Sequence, residues 1–297
     1  MANALLDHSP AGDSARYQLA EMNLMSAIGL PGTEEMDIGA MLGTLDAWAN
    51  QVALTTRKSI GAYHVNRAKF GSLAEFRIAV MIHVLCDEIG IRYNPARLAD
   101  PENFDDPADS FIHGLLGPKR TGTCASLPVL LVAMGRKLGY PLKLKLAPAH
   151  CFCCWDAPEE RFNIEWHEGG LNSHPDEHYR EWPYKWTPEL YSKEREQGMF
   201  LFALAPQQEL SHFAHMRAAH LAPLSGRLNE ALETMRVAYE LWPNRSSIMW
   251  ITHLMTKLYF GEKEYPHMPC EETAGKAALD RLARENIAVS ANVRPTG

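Results

Sequence analysis

The stretch 122-GTCASLPVLLVAMGRKLGY-140 carries a cysteine at the point where an irregular, glycine-containing segment runs into an apolar helix. Arg136 and Lys137 fall in the last predicted turn of that helix, and Gly139 follows it. Basic residues in the last turn and a glycine just beyond it are typical signals of a helix end. The stretch therefore predicts a buried helix with a cysteine at its beginning.

The beginning of this helix can be interpreted in two ways. Either Thr123 caps the helix, which then kinks at Pro128, or Ser126 caps it and Cys124 stands just outside. In both arrangements the sulfur lies at the amide-rich end, where the helix dipole favours a thiolate. The alternative is a buried structural cysteine, because free cysteines are among the most buried residues.

Beyond Gly139 the apolar pattern changes from a helical period to alternation. Leucines at 142, 144 and 146 alternate with Lys143 and Lys145, which predicts a half-buried strand. The segments HCFCCW (150–155) and RFNIEW (161–166) flank the turn-rich DAPEE and predict a β-hairpin.

A nucleophilic thiol needs a base, and His150 at the start of the first hairpin strand is the candidate. A third residue should orient its imidazole, and the hairpin offers Asn163 and Glu165. If Trp155 pairs with Phe162, both candidates share a sheet face with His150, whereas a shift by one residue would separate them.

The rest of the chain is predicted to be mainly helical around this core. Ser72 and Glu75 form a capping-box pattern that opens a buried helix, and Gly90 is a suitable stop. Residues 91–123 are rich in Pro, Asp and Asn and predict a long irregular connection. Residues 167–188 predict ordered coil, and helices resume at Pro188. We expect three parts: a helical segment at 1–71, a core at 72–188 and a helical segment at 189–297.

Composition narrows the class of protein. The chain has 297 residues, with 29 basic and 36 acidic side chains and a net charge of −7. An acidic surface repels a phosphate backbone, so we expect no nucleic-acid partner. The apolar run 127–134 is far shorter than a bilayer span, so we expect no membrane partner. Three of the six cysteines crowd into 151–154 without a secretory signal, which favours free thiols and a cytoplasmic location.

Metal binding is the competing chemical interpretation of the histidines and cysteines. His150 and the cysteines of 151–154 are close in sequence, but alternate residues of a strand point to opposite faces. His212 and His215 lie on one predicted helix without a matching HExxH motif. No glycine-rich phosphate loop is found. We therefore expect neither a metal nor a cofactor.

The order GTCASLPVLLVAMGRKLGYPLKL, PAHCFCCWD and FNIEWHEGG resembles the bacterial branch of the transglutaminase-like superfamily, whose members are papain-fold thiol enzymes. The resemblance implies an α+β fold with a buried, Cys-bearing helix packed on a small antiparallel sheet and with helical N- and C-terminal extensions. It also implies Cys124 as nucleophile, His150 as general base and Glu165 as third residue. Asn163 stays the rival for the third place.

The C-terminal part carries a second pattern. Gly226, Ala231, Ala238 and Pro243 are spaced as in the second half of a tetratricopeptide repeat. Only one clear copy is present, which favours a helical hairpin packed on the core over a peptide-binding array.

Together these features predict a cysteine-dependent amide or peptide hydrolase, or an acyltransferase, that works through a covalent acyl-enzyme on a protein or peptide substrate. The alternative is a non-catalytic interaction module that keeps the fold and binds a partner through its helical tail. The sequence leaves the oligomeric state open.

Overall fold

The computed structural model describes residues 18–99, 105–167 and 170–260. It combines helices with a small antiparallel sheet, as expected for an α+β fold. The longer helices are α1 (Leu19–Ala27), α2 (Ile38–Val65), α4 (Leu73–His83), α8 (Leu127–Lys137), α9 (Pro188–Gln197), α10 (Pro206–Leu221), α11 (Leu228–Leu241) and α12 (Arg245–Phe260). The four-residue helices are α3 (Arg67–Phe70), α5 (Ala96–Ala99), α6 (Pro107–Ser110) and α7 (His113–Leu116). No helix in the described ranges is both long and apolar enough to cross a membrane.

The strands of the described residues form two sheets. β1 (Arg92–Tyr93) and β2 (Thr121–Gly122) make a short parallel pair. β3 (Leu142–Ala147), β4 (His150–Asp156), β5 (Arg161–His167) and β6 (Gly170–Asn172) follow one another in an antiparallel sheet. Trp155 pairs with Phe162 across the β4–β5 hairpin, and Cys154 pairs with Asn163. The structure therefore has the pairing that places Asn163 and Glu165 on the face of His150.

The helix α4 begins and ends where the sequence predicts. Ser72 and Glu75 form a reciprocal capping box, in which the Ser72 side chain accepts from the Glu75 backbone N–H. The last turn widens into a π-helix at Val84–Ile89, and Gly90 then leaves it in the left-handed conformation with φ of 90°. Glycine suits this position because residues with a side chain rarely adopt this backbone conformation.

Of the two arrangements proposed for the start of α8, the structure has the helix start of the second, with Cys124 just outside the helix, but not its Ser126 side-chain cap. The helix begins at Leu127, so Pro128 lies in its first turn, where a missing N–H breaks no hydrogen bond. Ser126 precedes the helix, but its hydroxyl does not cap it. Cys124 lies in the turn just before this helix.

The two faces of the large sheet have different neighbours. Leu144, Cys153 and Ile164 are buried on the face that belongs to the main hydrophobic core. Phe152 lies on the other face, under Tyr179. Lys145 also lies on this second face and is buried, contrary to its expected place on the open side of a half-buried strand. The reason is the segment after β6, which covers this face and supplies an ion partner, Asp176, to Lys145.

Helix α10, which follows the sheet, contacts both α8 and the N-terminal part of the chain. Arg136 near the end of α8 forms a two-pronged ion pair with Glu209 of α10, at 2.6 and 3.0 Å, and Glu209 is fully buried. Arg217 of α10 donates to the backbone oxygens of Ser26 and Ile28 beside α1. One continuous core therefore includes residues from the N-terminal, central and C-terminal parts, whose domain boundaries stay predictions.

The helices α10 and α11 form a hairpin at the place where the tetratricopeptide-like pattern occurs. Ser211 of α10 donates to the backbone oxygen of Ala238 on α11. Ala231 and Ala238 are fully buried, so small side chains let the two helices approach closely. The hairpin fits the interpretation as a packed unit, while the resemblance to a tetratricopeptide repeat stays a prediction.

Candidate active site

Cys124 is held by a hydrogen-bonded turn between β2 and α8. The backbone oxygen of Asp109 accepts from the backbone N–H and the hydroxyl of Thr123 and from the hydroxyl of Ser126. Ser126 in turn accepts from the N–H of Thr123. These contacts fix the residues on both sides of Cys124. The thiol itself is half-buried.

Asp109 is a buried anchor for this turn. Its carboxylate accepts from Asn94 Nδ2 and from Arg97 Nε, each at 2.7 Å. Both carboxylate oxygens are thus engaged away from the thiol. Asp109 therefore positions the turn through its backbone oxygen, and its side chain binds the segment after β1.

His150 begins β4 directly after Ala149, which has a positive φ of 55°. Its side chain is buried and lines one cavity with Cys124. Its Nε2 lies 2.7 Å from Oε1 of Glu165. Since Nε2 is engaged by the carboxylate, the other ring nitrogen is the one left for the sulfur. The structure therefore brings Cys124 and Glu165 into the surroundings of one imidazole.

The environment of His150 favours the imidazolium. Burial alone would lower its pKa, but the hydrogen bonds with Cys124 and Glu165 and the negative charges of both residues outweigh burial. The balance raises the pKa of His150 to about 9. The ring is therefore charged at neutral pH and donates from Nε2 to Glu165.

Aromatic side chains enclose the imidazole. Tyr179 stacks on Phe152 with ring centroids 3.9 Å apart, and the His150 ring lies nearly parallel to both. Trp182 meets the His150 ring edge-on at 4.8 Å. Burial, followed by the charge of Glu165, raises the pKa of Tyr179. These rings keep water from the His150–Glu165 contact, and little of this segment was visible in the sequence beyond its aromatic content.

Asn163 shares the sheet face with His150 but serves another cluster. Its Nδ2 donates to the backbone oxygen of His174 and to Asp176, and its Oδ1 accepts from Lys145. The contact with the imidazole belongs to Glu165. Of the two candidates for the orienting residue, the geometry thus favours Glu165.

Tyr93 is a site residue that the sequence did not suggest. Its backbone pairs with Gly122, two residues before the cysteine. Its side chain lines a small cavity together with Cys124. Burial, together with the negative charge of Cys124, raises the pKa of Tyr93 to about 12, so the phenol stays protonated at neutral pH. A tyrosine on a two-residue strand has no local signal that would have identified it.

The other described cysteines have different surroundings. Burial raises the pKa of Cys86, and it raises the pKa of Cys151 and Cys153 well above the ordinary value. Burial also raises the pKa of Cys154, to about 12. These four thiols are protonated at neutral pH. Within the described ranges, no group of three or more His, Cys, Asp or Glu side chains is arranged to hold a metal ion.

The central part of the chain is similar to a known protein family. Residues 40–185 match the family model of the transglutaminase-like superfamily. The matched range contains Cys124, His150, Asn163 and Glu165, whereas the helices from α9 onward lie outside it. No curated protein and no solved structure shows significant similarity to the chain.

Proposed function

We propose, on the premise that residues 40–185 form a transglutaminase-like domain, that the chain is a thiol enzyme that cleaves or transfers acyl groups of protein or peptide substrates. Cys124 is the nucleophile, His150 the general acid and base, and Glu165 the residue that orients the imidazole. The observation that carries the proposal is the buried His150 imidazole, which contacts the buried Glu165 carboxylate at 2.7 Å and lines one cavity with Cys124.

The first half of the reaction forms an acyl-enzyme. The Cys124 thiolate attacks the carbonyl carbon of an amide or ester, and the carbonyl electron pair moves to oxygen to give a tetrahedral oxyanion. The carbonyl then re-forms as the bond to the leaving group breaks. His150 transfers its proton to the leaving amine or alcohol, so charge and protons balance.

Two donors beside the thiol suit the oxyanion. One is the backbone N–H of Cys124, and the other is the protonated hydroxyl of Tyr93. Cys124 and Tyr93 line a common cavity of about 20 Å³, which supports a position for both donors beside the thiol.

The second half releases the acyl group. Neutral His150 takes a proton from water or from an acceptor amine, which attacks the thioester and displaces the Cys124 thiolate. Water gives hydrolysis and an amine gives acyl transfer. Hydrolysis is the proposed outcome because no Asp or Glu is among the described residues that line the cavity of about 220 Å³ at Cys124 and His150, so that cavity offers no carboxylate to bind an amine substrate.

Alkylation of Cys124 tests the proposal. The rate with iodoacetamide is measured from pH 4 to pH 9 by peptide mapping, in a Cys270→Ser background because Cys270 lies outside the described residues. We expect Cys124 to react at pH 6 at least tenfold faster than the other cysteines. His150→Ala should shift the reactive range to above about pH 8.5, the range of an ordinary thiol.

The alternative, a non-catalytic interaction module, predicts a different result. In that case Cys124 reacts no faster than a free thiol, and His150→Ala leaves its rate unchanged. A wild-type chain that is alkylated selectively but forms no acyl-enzyme with any activated ester would also contradict the proposed reaction.

A further inference from the structure

The C-terminal helices contribute walls to a cavity that opens on the thiol. The cavity has a volume of about 220 Å³ and is lined by Cys124, His150 and residues from outside the matched domain. His212, His215 and Met216 come from α10, and Trp242 follows α11. The cavity is thus completed by helices for which the proposed chemistry has no other use.

The wall is mainly apolar and uncharged. Leu146, Met199, Phe200, Met216 and Trp242 supply apolar surface. None of the described residues that line the cavity is an Asp, Glu, Lys or Arg. The charged groups of the wall are therefore those of the reactive pair, Cys124 and His150. Away from the His150 imidazolium, whose charge Glu165 already balances, a charged substituent placed here would lose its hydration without gaining an ion partner.

The polar residues of the wall are largely occupied or neutral. Ser211 donates to the backbone oxygen of Ala238, and Asn244 donates to the backbone oxygen of Trp242. Burial lowers the pKa of His212 to about 4 and, with the charge of His212, the pKa of His215 to about 3. Both imidazoles are therefore uncharged at neutral pH.

Volume decides which part of a substrate enters this cavity. Cys124 lines two of the cavities, one of about 220 Å³ and one of about 20 Å³. An acyl group joined to the sulfur must occupy space beside the sulfur, and the smaller cavity holds about one water-sized atom. An apolar cavity of ~150 Å³ accommodates benzene. The larger cavity therefore has room for a group the size of an aromatic side chain.

We propose, as an extension that rests on the proposed thiol mechanism, that this cavity is the acyl subsite and selects an uncharged, mainly apolar acyl group of about aromatic side-chain size. The C-terminal helices are then specificity elements. Met216 is placed to set the depth of the subsite, because it is a flexible apolar side chain in the wall contributed by α10.

A series of p-nitrophenyl esters tests the subsite. The acyl groups are acetyl, butyryl, 3-phenylpropionyl and the charged succinyl, and acylation of Cys124 is followed by the p-nitrophenol burst and by intact mass. We expect kcat/KM to rise roughly fourfold for each added methylene, to be highest for 3-phenylpropionyl, and to be at least tenfold lower for succinyl than for butyryl.

Substitutions at Met216 test the location. Met216→Trp fills the cavity and should abolish the preference for 3-phenylpropionyl over acetyl, whereas Met216→Ala should extend the preference to larger groups. Met249→Trp is the matched control, because Met249 is an exposed residue on α12 that does not line the cavity. It should leave the series unchanged.

A second series separates the possible failures. Acetyl esters with small and bulky alcohols vary only the leaving group. Three results would overturn the subsite while leaving the thiol mechanism intact. They are a size preference in the alcohol series instead of the acyl series, equal kcat/KM across the acyl series, and a preference for succinyl. If no ester acylates Cys124, the proposed function fails.

In that case, the rate of alkylation of Cys124 by N-phenethyl iodoacetamide is compared with the rate by iodoacetamide, which tests the subsite alone. Equal rates would overturn the subsite.

Discussion

The carboxylate of Glu165 reaches Nε2 of His150 at 2.7 Å. The contact lies under a cover of aromatic rings, so solvent weakens the attraction little. The charge of Glu165 is therefore one of the groups that hold the pKa of His150 near 9.

Replacing Glu165 by glutamine should lower the pKa of His150 by at least about one unit, because an opposite charge at this distance contributes ~1–3 units. Alkylation by iodoacetate, an anion attracted by the imidazolium, reports on this change. In the wild type its rate should fall as pH rises through about 9, where His150 loses its proton. In Glu165→Gln the fall should occur at lower pH.

Asn163→Ala is the matched control on the same sheet face. Asn163 contacts Lys145, Asp176 and His174 rather than the imidazole. The variant should therefore be less stable but should keep the alkaline fall of the iodoacetate rate near pH 9. A shift in Asn163→Ala without one in Glu165→Gln would assign the orienting role to Asn163.

The sequence could place Glu165 and Asn163 on the face of His150 only if Trp155 paired with Phe162, and the structure has that pairing. The sequence could not choose between the two residues. The choice depends on Asp176 and Lys145, which occupy Asn163. Asp176 belongs to a coil segment whose tertiary packing has no local sequence pattern.

Tyr93→Phe should lower kcat for an ester substrate about 100-fold and change KM less than threefold. Removing one donor to an oxyanion costs ~10²–10³ in kcat, because that hydrogen bond is strongest in the transition state. The alkylation rate of Cys124 by iodoacetamide is the control, since alkylation forms no oxyanion. A parallel loss of alkylation and of kcat would indicate that Tyr93 only maintains the local structure.

At the scale of elements, the α8–α10 contact connects the cysteine helix to the wall of the proposed acyl subsite. Arg136 pairs with Glu209 at 2.6 Å, and the Glu209 side chain is 0% exposed against 26% for Arg136. Removing either partner therefore has a different effect on stability. Loss of Arg136 leaves a buried carboxylate without a counter-ion, which costs more free energy than the partly exposed guanidinium left by loss of Glu209.

Arg136→Met should therefore destabilise the chain by about 3 kcal/mol, since it leaves Glu209 buried without its counter-ion. Urea unfolding followed by circular dichroism measures the loss. Glu209→Gln should cost less, because the partly exposed Arg136 can reach water. The double variant should recover most of the stability lost in Arg136→Met, and additive losses would show that the pair does not interact.

Elements with local signals were predicted well, and those decided by distant contacts were not. The Ser72–Glu75 capping box and the glycine stop at Gly90 depend on neighbouring residues alone, and both are present. The burial of Lys145 depends on Asp176, 31 residues away. An alternating pattern indicates two faces of a strand, but it does not say whether a later segment covers the second face.

At the scale of the whole molecule, buried histidines link folding to pH in two directions. Burial lowers the pKa of His113, His212 and His220 to about 4 and that of His215 to about 3. The unfolded chain binds protons at these groups near pH 6.5, so stability is lost as pH falls from about 6.5 to 4. His150 acts oppositely: its pKa of about 9 gives stability that is present below pH 6.5 and lost as pH rises through 9.

We therefore expect the urea midpoint to be highest near neutral pH and clearly lower at pH 5, where each buried neutral imidazole costs roughly 2 kcal/mol. His220→Leu should reduce the difference between pH 5 and pH 7, because His220 has a buried Nε2 without a hydrogen-bond partner and packs beside Phe111. The same variant at pH 8 isolates the packing change, since the imidazole is then neutral in both the folded and the unfolded chain. Equal midpoints at pH 5 and pH 7 in the wild type would show that these histidines take up protons in the folded chain as easily as in the unfolded chain. That result would contradict the uncharged state of His212 and His215 in the wall of the proposed acyl subsite.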